Sequence, residues 1–190
     1  MLEGIKKLHF VGIGGVGMSA IAEVMLDKGY EISGSDLSES AVVKHLKAKG
    51  ATIYKGHDAL NVEGKEALVL SSAIHQDNPE LVAAKAKGLK LFHRSDILAY
   101  LLNDAKGIAV AGAHGKTTTS SMISVVLEHA KVDPTILIGG FVDYLKGNAK
   151  LGKSDYLVAE ADESDGSFLK FYPKIAVVTN IEDDHMDHYG

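Results

Sequence analysis

The chain has 190 residues, and 20 Lys and Arg against 25 Asp and Glu leave a net charge of −5, which argues against a nucleic-acid partner held by a basic face. It contains no cysteine, so disulfide staples, thiolate zinc sites and a cysteine nucleophile are excluded. Hydrophobic residues make up 46% of the chain, enough for a sizeable core; no apolar window approaches the ~18 residues of a membrane span, and Met1 to Lys7 runs into a strand without a signal-peptide core. A soluble cytoplasmic protein without a membrane partner is expected. The 20 glycines outnumber the 3 prolines and cluster just after short apolar runs, where tight turns are made.

Leu8 to Ile13 reads as a buried strand, followed by Gly14-Gly15-Val16-Gly17 and a helix from Met18 to Lys28 that Gly29 ends. Tyr30 to Ser33 is a second strand closing on Asp36, Ser40 caps a helix over 41–49, and strands follow at 51–54 and 66–70, the latter ending in Ser71-Ser72. Pro79 opens a helix to Lys87, and Leu89 to His93 is another strand. Strands alternating with helices of about ten residues predict βαβ units around a parallel sheet. After a helix over 95–102, the polar stretch 103–107 reads as a linker. Ile108 to Ala111 then restarts the pattern, with a loop at 112–116, a helix over 117–130 and buried strands at 155–160 and 175–179. Two α/β domains are expected, the first over 1–104 and the second over 105–190. The second has too few βα units for a doubly wound sheet, so it is expected to be incomplete.

Gly12-Ile13-Gly14-Gly15-Val16-Gly17 matches G-x-G-x-x-G between a strand and a helix. Glycines let backbone approach a diphosphate, and a helix N-terminus supplies N–H donors and a favourable dipole. Asp36, 19 positions after Gly17, stands where NAD enzymes place the acid that binds ribose hydroxyls, so an NAD-dependent oxidoreductase satisfies these residues. Any nucleotide diphosphate fits the same geometry. Ser71 and Ser72 fall on the same carboxyl edge of the sheet.

Gly112-Ala113-His114-Gly115-Lys116-Thr117 follows a strand and opens a helix, as a triphosphate loop does. Such a loop needs N–H groups around the phosphates, a lysine to neutralise them and a hydroxyl for Mg²⁺. Val110 occupies the place of the first glycine in G-x-x-x-x-G-K-[ST], so the strict motif is missed. Glu160 closes the apolar strand 155–160 and would reach the same edge as Thr117, where an acid holds the magnesium of a nucleotide site. The run from Thr179 through Glu182, Asp183, Asp184 and His185 to His188 is a candidate for a second divalent ion. His45, His57, His75 and His129 have no partner identifiable from the sequence and are assigned to the surface.

Together these residues resemble the Mur ligases of peptidoglycan synthesis. The resemblance rests on Phe10 to Ser19, Gly112 to Thr119, Glu160 to Phe168 and Val178 to Asp187, four motifs in the family's order over the whole chain. It implies a Rossmann-like parallel-sheet N-terminal domain followed by the start of a P-loop ATP-binding α/β domain. It further implies an ATP- and Mg²⁺-dependent ligase whose muramyl carboxylate is phosphorylated and then attacked by an amine. Gly14, Gly15, Val16 and Gly17, with Asp36, Ser71 and Ser72, would hold the UDP part of UDP-N-acetylmuramate. Gly112, Ala113, His114, Gly115, Lys116, Thr117 and Thr118 would hold ATP. Thr117, Glu160 and His185 would be metal ligands, and Lys116 and His185 the catalytic residues. A threonine is usual in the family where Ala113 stands, which removes one hydroxyl from a cradle that is mostly backbone. The branch that recycles murein tripeptide differs after Ala161-Asp162-Glu163, where this chain has Ser164-Asp165-Gly166-Ser167. The L-alanine-adding branch is therefore preferred. The family's C-terminal domain has no counterpart in these residues, so the chain is expected to bind UDP-N-acetylmuramate without ligating it.

Overall fold

A computed structural model describes residues 1–161 and 166–183 and divides the chain into two compact units, Met1–Arg94 and Ser95–Gly190. The first contains β1 (Lys7–Val11), α1 (Val16–Asp27), β2 (Glu31–Asp36), α2 (Ala41–Ala48), β3 (Thr52–Lys55), a 3₁₀ turn (Ala59–Val62), β4 (Ala67–Leu70), α3 (Pro79–Ala86) and β5 (Lys90–His93). All strand pairs are parallel, in the order β3-β2-β1-β4-β5. The order reverses at β1, and an open α/β sheet binds its ligand where such a reversal opens a crevice at the carboxyl ends.

Local chemistry accounts for the elements. Leu8, Phe10 and Val11 in β1 and Leu68 and Val69 in β4 are fully buried, as central parallel strands covered on both faces must be. Ser40 caps α2 by accepting from the Val43 N–H, and Asn78 caps α3 by accepting from Glu80 and Leu81, with Pro79 in the first turn. Gly34 in β2 is required by packing: a Cβ there would lie 2.7 Å from both the Ile13 side chain and the Phe10 carbonyl oxygen.

The second unit contains the body of α4 (Arg94–Asn103), β6 (Lys106–Ala111), α5 (Lys116–His129), β7 (Thr135–Val142), β8 (Gly147–Lys150), β9 (Tyr156–Glu160) and β10 (Ile175–Val178). Its strand order is β10-β6-β9-β7-β8, parallel except for the antiparallel β7–β8 pair. The polar stretch 103–107 is absorbed into the end of α4 and the start of β6. Asn103 accepts from the Tyr172 N–H at 2.7 Å and donates to the Lys170 carbonyl at 3.0 Å, and the Lys170 ammonium reaches Asp96 at 2.6 Å. These bonds tie α4 to the segment before β10. Among the described residues, no helix is long and apolar enough to cross a membrane.

Candidate functional site

In the first unit, Gly12 leaves β1 with φ +74° and its N–H, like that of Ile13, donates to the Ser35 carbonyl at 2.9 and 3.0 Å. The chain then turns through Gly14 and Gly15 into α1, whose N-terminus Gly15 caps without a side-chain hydrogen bond. Gly15 has no side chain to cap that first turn, and the helix dipole favours an anion there. The Asp36 carboxylate fixes this loop: Oδ2 accepts from the Gly14 N–H at 2.8 Å, and Oδ1 accepts from the Ser38 N–H and hydroxyl at 3.0 and 3.1 Å. A Cβ on Gly14 would stand 2.7 Å from Asp36 Oδ2 and 3.0 Å from Val43 Cγ2, so a larger residue would displace the carboxylate that braces the loop. At the carboxyl ends of β1 and β2 opens a cavity of about 640 Å³ lined by Gly12, Asp36, Leu37, His57, Ile74 and Pro79 among others, a volume suited to a nucleotide.

Of the residues expected here, Asp36 lines the cavity, whereas Gly14, Gly15, Val16 and Gly17 form the turn and the first helical residues beside it. Ser71 and Ser72 follow β4 and are not among the lining residues; the Ser71 carbonyl accepts from the Ile74 N–H at 3.1 Å. Two groups escaped the sequence reading. A Cβ on Gly17 would come within 3.3 Å of Arg94 Nη1, which places a guanidinium beside the first turn of α1. His57 stands in the cavity wall with Glu80 as partner at 2.9 Å, and His45 contacts Glu23 at 3.0 Å. His45 is exposed, as expected, and His57 is only partly so; what is corrected is the absence of partners, since their carboxylates lie more than 20 positions away in sequence and only the assembled fold brings them near. His75 and His129 are exposed, as expected.

In the second unit the parallel register pairs Val110 with Glu160 and Ala111 with Val178, which brings the ends of three strands level with the loop 112–115. Gly112 has φ +129° and Gly115, the cap of α5, has φ +82°, conformations that favour glycine. A Cβ on Gly112 would collide with the Thr179 hydroxyl and stand 3.0 Å from the Asn180 backbone. Asn180 grips the loop reciprocally: its Oδ1 accepts from the His114 N–H and its Nδ2 donates to the His114 carbonyl, both at 2.9 Å. The Thr179 hydroxyl donates to the same carbonyl at 2.6 Å. Thr179 and Asn180, read in sequence as part of an ion-binding run, thus brace the loop.

The Lys116 ammonium donates to the Gly112 carbonyl at 2.6 Å and lies 3.3 Å from that of Ala113, folded over its own loop. Thr117 Oγ1 donates to Glu160 Oε2 at 3.3 Å, and Ser120 Oγ donates to Glu160 Oε1 at 3.1 Å. A Cβ on Gly139 of β7 would sit 2.5 Å from Glu160 Oε2, and one on Gly140 would sit 3.1 Å from Thr117 Cγ2. This glycine pair, absent from the sequence reading, leaves room beside the carboxylate and hydroxyl. A hydroxyl and a carboxylate that share one edge form a hard, all-oxygen donor set of the kind Mg²⁺ takes, so the residues present fit that ion. Thr118 is exposed on the same first turn. His185, together with 162–165 and the rest of 184–190, lies outside the described residues. His114 pairs with Glu182 at 3.4 Å, both exposed.

Comparison with known proteins covers both units. Residues 7–117 match the Mur ligase family, catalytic domain, and residues 110–190 match the Mur ligase middle domain. The UDP-N-acetylmuramate–L-alanine ligase of Azoarcus sp. is 54% identical over the whole chain, which spans 41% of that protein. Among solved structures, the UDP-N-acetylmuramate-alanine ligase of Thermotoga maritima superposes with TM-score 0.89 at 35% identity, over 97% of this chain and 43% of its own. The UDP-N-acetylmuramate:L-alanyl-gamma-D-glutamyl-meso-diaminopimelate ligase of Neisseria meningitides gives the same TM-score at 31% identity, over 98% of this chain and 64% of its own. The chain thus spans about 40% of the length of the curated relatives it matches. Since the two family matches meet at the loop that opens α5 and between them run from β1 to the last residue, the chain belongs to the Mur ligase family.

Proposed function

We propose that this chain supplies the UDP-N-acetylmuramate-binding and ATP-binding parts of a ligase that joins L-alanine to that precursor, working in the cytoplasm. In this reading residues 1–104 hold the UDP part and residues 105–190 contribute the nucleoside-triphosphate loop. The observation that carries it is the junction of Thr117 and Glu160 at the N-terminus of α5, after a loop built on two glycines with positive φ. A nicotinamide enzyme gives no role to that second site. Fold alone does not separate the alanine-adding from the peptide-recycling branch, because structures of both superpose equally well. Sequence supports the alanine-adding branch, the name carried by relatives at 54–57% identity over nearly the whole chain.

The residues divide the work as follows. N–H groups of the 112–115 loop and the first turn of α5 hold the β- and γ-phosphates, and Lys116 leaves the loop carbonyls to neutralise the transferring phosphoryl. Thr117 and Glu160 would hold Mg²⁺, with His185 the candidate ligand of a second ion; the metal supplies charge neutralisation between phosphate oxygens. Phosphorylation of the muramyl carboxylate gives an acyl phosphate, and the L-alanine amine displaces phosphate to form the amide. In the first unit, the glycine turn with Arg94 nearby would take the diphosphate, and Asp36, besides bracing Gly14, would face the nucleoside. The test is a chimera in which this sequence replaces the matching part of the Azoarcus ligase. ADP release should require both UDP-N-acetylmuramate and L-alanine, and Lys116→Ala should abolish it; normal turnover by Lys116→Ala removes the triphosphate assignment.

A further inference from the structure

The face of the first sheet under α3 holds a polar cluster that reaches the cavity through His57. In-register pairing sets His9 of β1 beside Ser33 of β2 and Val11 beside Ser35, so His9, Ser33 and Ser35 share one face. Onto that face α3 brings Glu80, which is fully buried. Its Oε1 accepts from Asn61 Nδ2 at 2.7 Å and from His9 Nε2 at 3.3 Å. Its Oε2 accepts from the Ser35 hydroxyl at 2.6 Å and from His57 Nδ1 at 2.9 Å. Burial alone would raise this carboxyl, but the bonds from His9, Ser35, Asn61 and His57 outweigh it and hold the group at about 2.

An ionised carboxylate only accepts, so the proton of the His57–Glu80 bond sits on Nδ1. Ser35 Oγ also lies 2.9 Å from Nδ1; its own proton is given to Glu80, so it too can only accept there. Both neighbours therefore keep a proton on Nδ1, which makes Nε2 an acceptor whenever the ring is uncharged. Among the described residues Nε2 has no partner, and His57 lines the 640 Å³ cavity with Gly12 and Asp36. The segment carrying His57 is itself braced: Asp58 accepts from the Leu60 N–H at 2.8 Å, and Asn61, three residues on, is tied to Glu80.

We infer that Glu80 is a positioning residue: through Ser35 and Nδ1 it locks His57 as a hydrogen-bond acceptor that takes a hydroxyl or ring N–H of the nucleoside. A buried anion that the ligand never touches thus sets the tautomer of the group that reads it. The inference rests on the first-unit cavity being the uridine nucleotide site, and it adds a donor-reading group to the acceptor Asp36.

The test uses the chain itself, ¹⁵N-labelled at histidine, with UDP as probe. Long-range ¹⁵N–¹H spectra should show His57 protonated at Nδ1, with the unprotonated Nε2 signal moving on UDP addition as it gains a donor. His57→Phe should weaken UDP about fivefold to tenfold, the loss of one net hydrogen bond. His57→Gln, whose carboxamide oxygen reaches the Nε2 position, should recover part of this. Glu80→Gln should mix the His57 tautomers, a change that loss of packing alone does not produce. If that variant fails to fold, the wild-type nitrogen signals and His57→Phe decide. UDP binding that leaves Nε2 unmoved, or that His57→Phe does not weaken, overturns the inference while the nucleotide reading stands. No UDP binding by the wild-type chain overturns the nucleotide reading and the inference with it.

Discussion

Glu80 is also the group through which acid should act on the first unit. Its carboxyl falls from an ordinary 4.5 to about 2 on folding, because four side-chain donors outweigh the cost of burial. At about 1.4 kcal/mol for each pH unit, this is worth about 3 kcal/mol. The folded-state value is the depressed one, so the stabilisation is fully present above pH 4.5, shrinks as the pH falls and is nearly gone at pH 2. Hydrogen exchange at β1 and β2 amides reports the opening free energy of this unit separately from the other. Between pH 6 and pH 2 the wild-type unit should lose about 3 kcal/mol more than Glu80→Gln, which has no carboxyl to protonate. Equal losses in the two proteins would refute the ionised, four-donor cluster.

Two further substitutions probe the core and the second loop. Phe10→Ala, at a fully buried position of the central strand β1, should destabilise the first unit by about 3–5 kcal/mol, read as a shift of the denaturant midpoint in exchange experiments. A cost below about 1 kcal/mol would place Phe10 outside the core. Gly112→Ala combines a φ of +129° with a collision at Thr179; at about 1–3 kcal/mol for strain, it should free the His114 amide from Asn180 and speed its exchange about tenfold or more. Unchanged exchange would show that the loop does not need this glycine.

The glycine loops were legible because each feature is local: a buried strand, a turn that needs positive φ and a helix start follow one another within ten residues. The same locality explains what was missed. β7 carries the apolar run Thr135 to Ile138, but Gly139 and Gly140 interrupt it, and β8 is Gly147-Asn148-Ala149-Lys150 with a single apolar residue. Their antiparallel pairing, and the clearance the glycines give Glu160 and Thr117, exist only once the sheet is assembled. Asn103 looked like linker polarity, yet its amide bonds the backbone at Lys170 and Tyr172. Glu80 has the sequence signature of an ordinary acidic residue in a first helical turn; only the sheet's register, with His9 beside Ser33, shows why it is buried. In the second site the local pattern placed Thr117 on the first turn of α5 and left Lys116, its first residue, in the loop; the inward fold of the lysine and the bracing by Asn180 were not legible.

The proposed function requires the glycine turn of the first unit to take a uridine diphosphate sugar. Calorimetry of this chain with UDP-N-acetylmuramate tests it most directly. Saturable binding that UDP competes away and NAD does not is the expected result; no affinity for any uridine diphosphate sugar, or displacement by NAD, would contradict it.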